Sequence, residues 1–386
     1  MTNHIIALDG TWNHDAQSDF GQAAPTNVTK ICRALDSRDA NGVQQRYYYS
    51  SGVGAGARPV SKILGGAFGL GITKSILSAY RWLAGNYNED SDRLFLFGFS
   101  RGAYAVRSLV GMLQVCGLAD PDARAIKEAY LLYRLQTTGE RKLRRAAETF
   151  KSQQRQISVH FIGVWDTVGS VGLPAITRYR LLPAFWNQIT SGTTLKRNIH
   201  DNYLPSIVSH AYQALAMDEY RFQFVPSVWT DPDGRNRQNV EQVWFRGSHS
   251  NIGGGYVDSG LSDYALMWMV EKAIKAGLKF NLDYFLLRAD PNFLGALRNS
   301  FRGVSRLMPP HYREIGREHG INESVHYSVM ERAMSTGDEP PYCKGVEWNQ
   351  MLSTNDGARI IRLLRSVVHI PEELESEFYA EFESET

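Results

Sequence analysis

The run Arg93-Leu-Phe-Leu-Phe-Gly-Phe-Ser-Arg-Gly-Ala-Tyr104 constrains what this chain can fold into more than any other stretch. Leu94 to Phe97 is short, apolar and aromatic, as a buried strand is. Gly98, Phe99, Ser100, Arg101 and Gly102 then match G-x-S-x-G, and Ala103, Val106, Leu109, Val110 and Leu113 recur at helical spacing. The pattern is strand, sharp turn, helix. In such an elbow the serine occupies a strained turn, and Gly98 and Gly102 remove side chains that would clash across it. The serine Oγ stands above the sheet, at a helix end whose unbonded N–H groups and partial positive charge suit an oxyanion. A bare G-x-S-x-G also occurs as a tight turn with a solvated serine. Its place between a buried strand and a helix points to a nucleophile.

Strands and helices alternate on both sides of the elbow. Ile5 to Leu8 reads as a strand ending in the turn cluster Asp9-Gly-Thr-Trp-Asn13. Thr26 to Leu35 reads as a helix capped by Thr26 or Asn27, and Gln45 to Ser50 as a second strand. Gly52 to Gly71 is glycine-rich and reads as a flexible segment before a helix over Ile72 to Asn86. Past the elbow, Asp122 to Gln154 is largely helical, and its basic run Arg141 to Arg145 reads as a solvated helix face or a headgroup-binding patch. Ile157 to Val164 is a buried strand leading into Trp165-Asp-Thr-Val-Gly169, and Ile207 to Met217 has the look of a helix running into Asp218-Glu-Tyr-Arg221. Val240 to Phe245 is a strand that ends in a glycine-rich loop, Arg246 to Gly255. Leu261 to Lys275 is an amphipathic helix with Ser262 or Asp263 near its start. Such alternation predicts an α/β fold with a mostly parallel sheet flanked by helices. An aperiodic insertion near 170–210 would cap the site, and beyond about residue 280 the pattern degrades to short elements. The expectation is one domain, with residues 1–280 as its body and 281–386 as an irregular C-terminal layer.

Composition narrows the function classes. The chain has 386 residues, 43% hydrophobic, with a formal net charge of +2, which makes no case for nucleic acid as a partner. Its three cysteines, Cys32, Cys116 and Cys343, are scattered and suggest neither a zinc site nor a disulfide framework. The first residues are too briefly apolar for a cleaved signal peptide, and Lys74 and Arg81 interrupt the apolar run Ile63 to Leu83. A protein that is cytoplasmic as synthesised, or exported without a cleaved signal, and not transmembrane, is expected.

Three strand ends carry Ser100, Asp166 and His249, in the α/β-hydrolase order of nucleophile, acid and histidine. Serine is a poor nucleophile unless a histidine takes its proton, and a buried carboxylate orients that imidazole. Asp218, Asp258 and Asp263 compete with Asp166 as the acid. An oxyanion hole needs two donors: the backbone N–H of Arg101, and one from the Gly10-Thr11 turn. Asp9 then fixes that turn by accepting backbone N–H bonds, or positions Ser100 or a substrate hydroxyl, readings preferred over a metal role. The Asp9-Gly-Thr11 turn lacks the second aspartate of aspartate-based phosphatases, and Gly65 to Gly71 lacks the lysine of a phosphate-binding loop. Neither a metal nor a cofactor enters this chemistry.

Further blocks identify a resemblance. Leu8-Asp-Gly-Thr-Trp-Asn13, Gly98-Phe-Ser-Arg-Gly-Ala103, Gly163-Val-Trp-Asp-Thr-Val-Gly169, His210-Ala-Tyr-Gln-Ala-Leu-Ala216 with Asp218-Glu219, and Trp244-Phe-Arg-Gly-Ser-His249 with Asn251-Ile-Gly-Gly-Gly-Tyr256 occur in one order over roughly the first 270 residues. The chain resembles the DUF2235 α/β-hydrolase family, which includes type VI secretion phospholipase effectors of the Tle1 group. Asn251 stands where that family usually has aspartate, and Arg246 where proline is common. The resemblance implies an α/β-hydrolase fold and a serine hydrolase with Ser100 as nucleophile and His249 as base, acting on a lipid or membrane-surface ester. It also brings a secretion carrier or an immunity protein into view as partners. A catalytically idle hydrolase scaffold that binds a ligand or partner is the alternative.

Overall fold

The computed structural model describes residues 1–11, 13–52, 65–136, 140–169, 202–231, 238–307, 310–313, 315, 320–338 and 368–369. In chain order the strands are β1 (Thr2–Leu8), β2 (Ser18–Asp19), β3 (Gln22–Ala23), β4 (Gln44–Ser50), β5 (Arg93–Phe99), β6 (Val159–Trp165), β7 (Val208–Ala216), β8 (Asn239–Phe245), β9 (Glu323–His326) and β10 (Val368–His369). The helices are α1 (Asn27–Ala34), α2 (Gly65–Asn86), α3 (Arg101–Cys116), α4 (Ala123–Gln136), α5 (Arg141–Ser152), α6 (His249–Gly253), α7 (Gly260–Lys275), α8 (Leu282–Arg288) and α9 (Tyr327–Thr336). Among the described residues β2 and β3 form a small hairpin, and the other strands make an eight-stranded sheet in the order β10-β9-β8-β7-β6-β5-β1-β4. All its pairings are parallel. This is an α/β-hydrolase-like sheet flanked by helices.

The pleat divides the core in two. Ile6, Leu8, Leu94 and Leu96 point to one face and pack with Ile76, Tyr80 and Leu83 of α2 and Val106, Leu109 and Leu113 of α3. Ile5, Ala7, Phe95 and Phe97 point to the other and pack with Val28 and Ile31 of α1 and Leu266, Met269 and Val270 of α7. The chain runs from β1 outward to β4, then returns to β5 on the opposite side of β1. Such a reversal leaves a crevice at the carboxyl ends of the strands on either side of it, where open α/β sheets bind ligands. Asp9 follows β1 there, and Ser100 follows β5.

Several elements differ from the sequence expectation. His210 to Ala216, read as part of a helix, belongs to β7, between β6 and β8. Its alanines and leucine are good helix formers, but a strand covered on both faces loses period-two alternation, and tertiary pairing overrides propensity. Gly65 to Gly71, expected as a flexible segment, forms the first turns of α2. The Arg246 to Gly255 loop contains α6, and the irregular C-terminal stretch supplies β9 to the sheet. Helix α7 is capped by Ser259, which leaves Ser262 and Asp263 inside its first turn. Thr26 caps α1 as expected, accepting the Thr29 amide at 3.2 Å. The basic run Arg141 to Arg145 lies on α5, mostly exposed. Trp12, residues 53–64 and most of the expected cap, 170–201, lie outside the described residues.

Candidate active site

At the end of β5 the chain turns into α3 within one residue. Ser100 has φ 58° and ψ −120°, a conformation that costs a residue other than glycine about 1–3 kcal/mol and persists only where its surroundings enforce it. The flanking glycines show how. A β-carbon on Gly98 would lie 2.7 Å from Ala103 N, and one on Gly102 would lie 2.1 Å from the carbonyl oxygen of Leu8. Backbone approaches backbone at both positions, which a side chain forbids. The Ser100 amide is tied to the Trp165 carbonyl at 3.0 Å. The next residue, Arg101, opens α3, where a helix supplies no carbonyl acceptor for its first-turn amides.

The ends of β6 and β8 bring two more side chains to this turn. Asp166 directly follows β6 and is held with φ 40° by its amide on the Ala214 carbonyl at 2.7 Å. His249 opens α6, four residues past β8. Its Nε2 lies 2.7 Å from Ser100 Oγ, and its Nδ1 lies 2.5 Å from Asp166 Oδ2. An imidazole that donates Nδ1–H to a carboxylate presents an unprotonated Nε2, so the serine hydroxyl donates to it. The three residues thus form one hydrogen-bonded chain, fully or nearly buried. The rings of Phe99 and Phe224 flank His249, with centroids at 4.6 and 4.8 Å. Burial lowers the His249 pKa from 6.5 despite the attraction of Asp166. Burial opposes the charge on Asp166 too, but Arg313 and His249 beside it hold that carboxyl well below the usual carboxylate range.

The competing carboxylates have other partners. Asp218 accepts the amide of Gly247 at 2.6 Å and Arg246 Nε at 3.1 Å, which secures the approach to α6. Asp258 accepts the amides of Gly260 and Ala296. Asp263 pairs with Lys30 at 2.5 Å. Asp166 is the carboxylate on the His249 ring.

The Asp9-Gly10-Thr11 turn adjoins the elbow. Asp9 Oδ1 accepts the Gly10 amide at 2.7 Å, and Oδ2 accepts hydroxyls from Thr26 at 2.7 Å, Tyr49 at 2.9 Å and Thr29 at 3.2 Å. Asp9 therefore locks the turn to α1 and β4. The Gly10 amide, expected as an oxyanion donor, is already directed at this carboxylate. The Thr11 hydroxyl is buried with no hydrogen-bond partner among the described residues.

Residues 2–272 match the family model described as "T6SS, Phospholipase effector Tle1-like, catalytic domain". The chain belongs to this Tle1-like family. A curated relative, the uncharacterized protein YEL023C of Saccharomyces cerevisiae, is 30% identical over 255 residues, covering 59% of this chain and 33% of that protein. Solved structures that resemble it include an uncharacterized protein from Pseudomonas aeruginosa (19% identity, TM-score 0.40, 72% of this chain and 46% of that one). A Tle1 effector bound to the VgrG spike of the type 6 secretion system is another (18% identity, TM-score 0.34, 66% and 51%). A third is a thermophilic esterase from Thermogutta terrifontis (14% identity, TM-score 0.36, 72% and 84%). The chain spans a third of the curated relative and about half of the first two structures.

Asn251 and Arg246, singled out in the sequence as departures from the resemblance, each have local partners. Asn251 completes a capping box on α6, its Oδ1 accepting both the amide and the hydroxyl of Ser248, and its Nδ2 donates to the Ala296 carbonyl. Arg246 is buried between Asp218 and Asp338. Sequence reasoning missed two residues of this candidate site. Glu219 Oε2 accepts the backbone amide of His249 at 3.2 Å, and the same carboxylate is gripped by Arg221. Asp218-Glu219 was visible as a motif, without any sign of its purpose. Arg313 contacts Asp166 from beyond the matched region, in an aperiodic stretch where one arginine among many gives no signal.

Proposed function

We propose that the chain is a serine hydrolase of carboxylic esters whose substrate is a lipid acyl ester, most directly that of a phospholipid. The observation that carries this reading is the unbroken hydrogen-bonded chain from Ser100 through His249 to Asp166, on a strained strand-to-helix turn. Ser100 Oγ attacks the ester carbonyl as His249 Nε2 takes its proton, and Asp166 stabilises the imidazolium. The Arg101 amide and a donor from Thr11, amide or orphaned hydroxyl, receive the charge on the carbonyl oxygen. Each such donor is worth roughly 3 kcal/mol in the transition state. His249 returns its proton to the leaving alcohol, and water then cleaves the acyl-enzyme by the same route. The lipid substrate rests on membership of the Tle1-like family, as do export on a secretion carrier and neutralisation by an immunity protein. Among the described residues no helix is long and apolar enough to cross a membrane.

The test is labelling with a fluorophosphonate probe, followed by phospholipid vesicles assayed for released fatty acid. Modification at Ser100 that is lost in Ser100→Ala, with fatty-acid release lost in parallel, is expected. A folded wild-type protein that neither labels nor releases fatty acid would instead support the idle scaffold that binds a ligand or partner.

A further inference from the structure

Arg313 reaches the site from the C-terminal layer, 41 residues beyond the matched region's end at residue 272. Its guanidinium is buried, and both arms of its fork reach Asp166. Nη1 donates to Asp166 Oδ1 at 2.5 Å and Nη2 to Asp166 Oδ2 at 3.0 Å, a bidentate pair. The same nitrogens donate to the carbonyls of Ala216 and Phe224, both at 2.7 Å. Asp166 Oδ1 also accepts the Ala216 amide at 3.0 Å. Both carboxylate oxygens are therefore fixed, and the carboxylate is oriented before His249 meets it. We infer that Arg313 is a positioning residue that aims Asp166 and shares its charge, so that it sets the pH range over which His249 can serve Ser100. This inference rests on the hydrolase reading above.

Two carboxylates near His249 are each paired with an arginine. Asp166, at the end of β6, faces Arg313. Glu219, after β7, faces Arg221 at 2.8 Å, and a further cation, Arg101, opens α3 directly after Ser100. A carboxylate whose charge is shared with an arginine gives less support to an imidazolium than a bare one. Removing Arg313 leaves Asp166 with no cation but His249, and the pair then takes up its proton at higher pH. The neutral imidazole needed to accept the serine proton is lost over the corresponding range. Arg313 thus keeps the base available in mildly acidic surroundings and limits its driving force in return.

The experiment compares wild type, Arg313→Gln and Arg313→Lys by two readouts on the full chain. One is the pH dependence of fluorophosphonate labelling at Ser100. The other is the His249 titration, followed by NMR of histidine-labelled protein. Arg313→Gln is expected to move the acidic limb of labelling and the His249 midpoint upward by about one pH unit. Arg313→Lys keeps the charge but loses the fork, so its limb stays and its plateau rate falls about tenfold or more. A natively folded Arg313→Gln with an unmoved His249 midpoint overturns the inference. If Arg313→Gln does not fold, an Arg313→Lys protein with wild-type plateau and limb overturns it. Absence of Ser100 labelling in wild type defeats the hydrolase reading instead, while the NMR midpoint still decides the charge sharing.

Discussion

Gly102 lies so close to Leu8 that a β-carbon on it would come within 2.1 Å of the Leu8 carbonyl oxygen, and within 2.5 Å of that of Asp9. The head of α3 meets the end of β1 backbone to backbone, and Ser100 is aimed by that contact. Gly102→Ala is expected to push the two apart, with a stability loss of about 1–3 kcal/mol and slower labelling at Ser100. Gly85→Ala is the control. Beyond its chain neighbours and the backbone of its own helical turns, no atom lies within 4 Å of its added β-carbon in helix α2, so a gain of about 0.5–1 kcal/mol is expected. Urea midpoints of opposite sign would bear out the contrast; equal midpoints would mean the elbow relaxes freely.

Asp166→Asn and Asp258→Asn separate two carboxylates that sequence alone leaves in competition. Asp166 holds the ring of His249 at 2.5 Å, whereas Asp258 holds backbone amides of Gly260 and Ala296. The first substitution is expected to reduce Ser100 labelling roughly 10⁴-fold, by presenting the wrong tautomer. The second should leave the rate within a few-fold of wild type. Comparable rates in both variants would remove Asp166 from the mechanism.

Stability should decline as pH falls below about 6.5. Burial lowers the pKa of His4, His160 and His249 from 6.5, so below that value the unfolded chain binds protons that the folded chain does not. Stability is lost where the unfolded state binds more protons, by about 1.4 kcal/mol per pH unit for each full proton of difference. Asp166 adds its own loss only below 3.8, since its folded value is depressed. Urea unfolding at a series of pH values is the check, and a flat profile between pH 7 and 5 would contradict it.

Asp9 is expected to matter for stability through the hydroxyls it satisfies. Asp9→Ala leaves the Thr26, Thr29 and Tyr49 hydroxyls without their common acceptor, at a cost of about 3 kcal/mol. Asp9→Asn keeps an acceptor and the shape, and removes a carboxyl whose pKa burial already pushes up. It should therefore be much the milder change. Thermal unfolding of both variants tests the ordering, and an asparagine variant as unstable as the alanine one would show that the charge itself is needed.

Much of this site was legible because its parts follow strands. Ser100, Asp166 and the His249 segment each sit just past an apolar run, and a parallel sheet places such ends along one edge. The register of β5 against β6, with Phe99 opposite Trp165, is what brings Ser100 beside Asp166. The helix read over His210 to Ala216 shows the limit. Local propensity favoured a helix, and only pairing with β6 and β8 made the segment a strand. The Gly10 amide shows another: its engagement by Asp9 is a matter of side-chain rotamer, which spacing does not encode.

The sequence by itself determined the elbow, since G-x-S-x-G between a buried strand and an amphipathic face admits few backbones. It also determined the order of Ser100, Asp166 and His249, and narrowed the cap of α1 to Thr26 or Asn27, of which the structure selects Thr26. Sequence order favours Asp166 as the acid but leaves Asp218, Asp258 and Asp263 in competition, and tertiary structure separates them by the amides and cations packed against each. It alone brought Arg313 to Asp166 across 147 residues of chain. Periodicity reports which face of an element is buried, whereas a single buried ion pair in an aperiodic segment is fixed by long-range packing and leaves no local pattern.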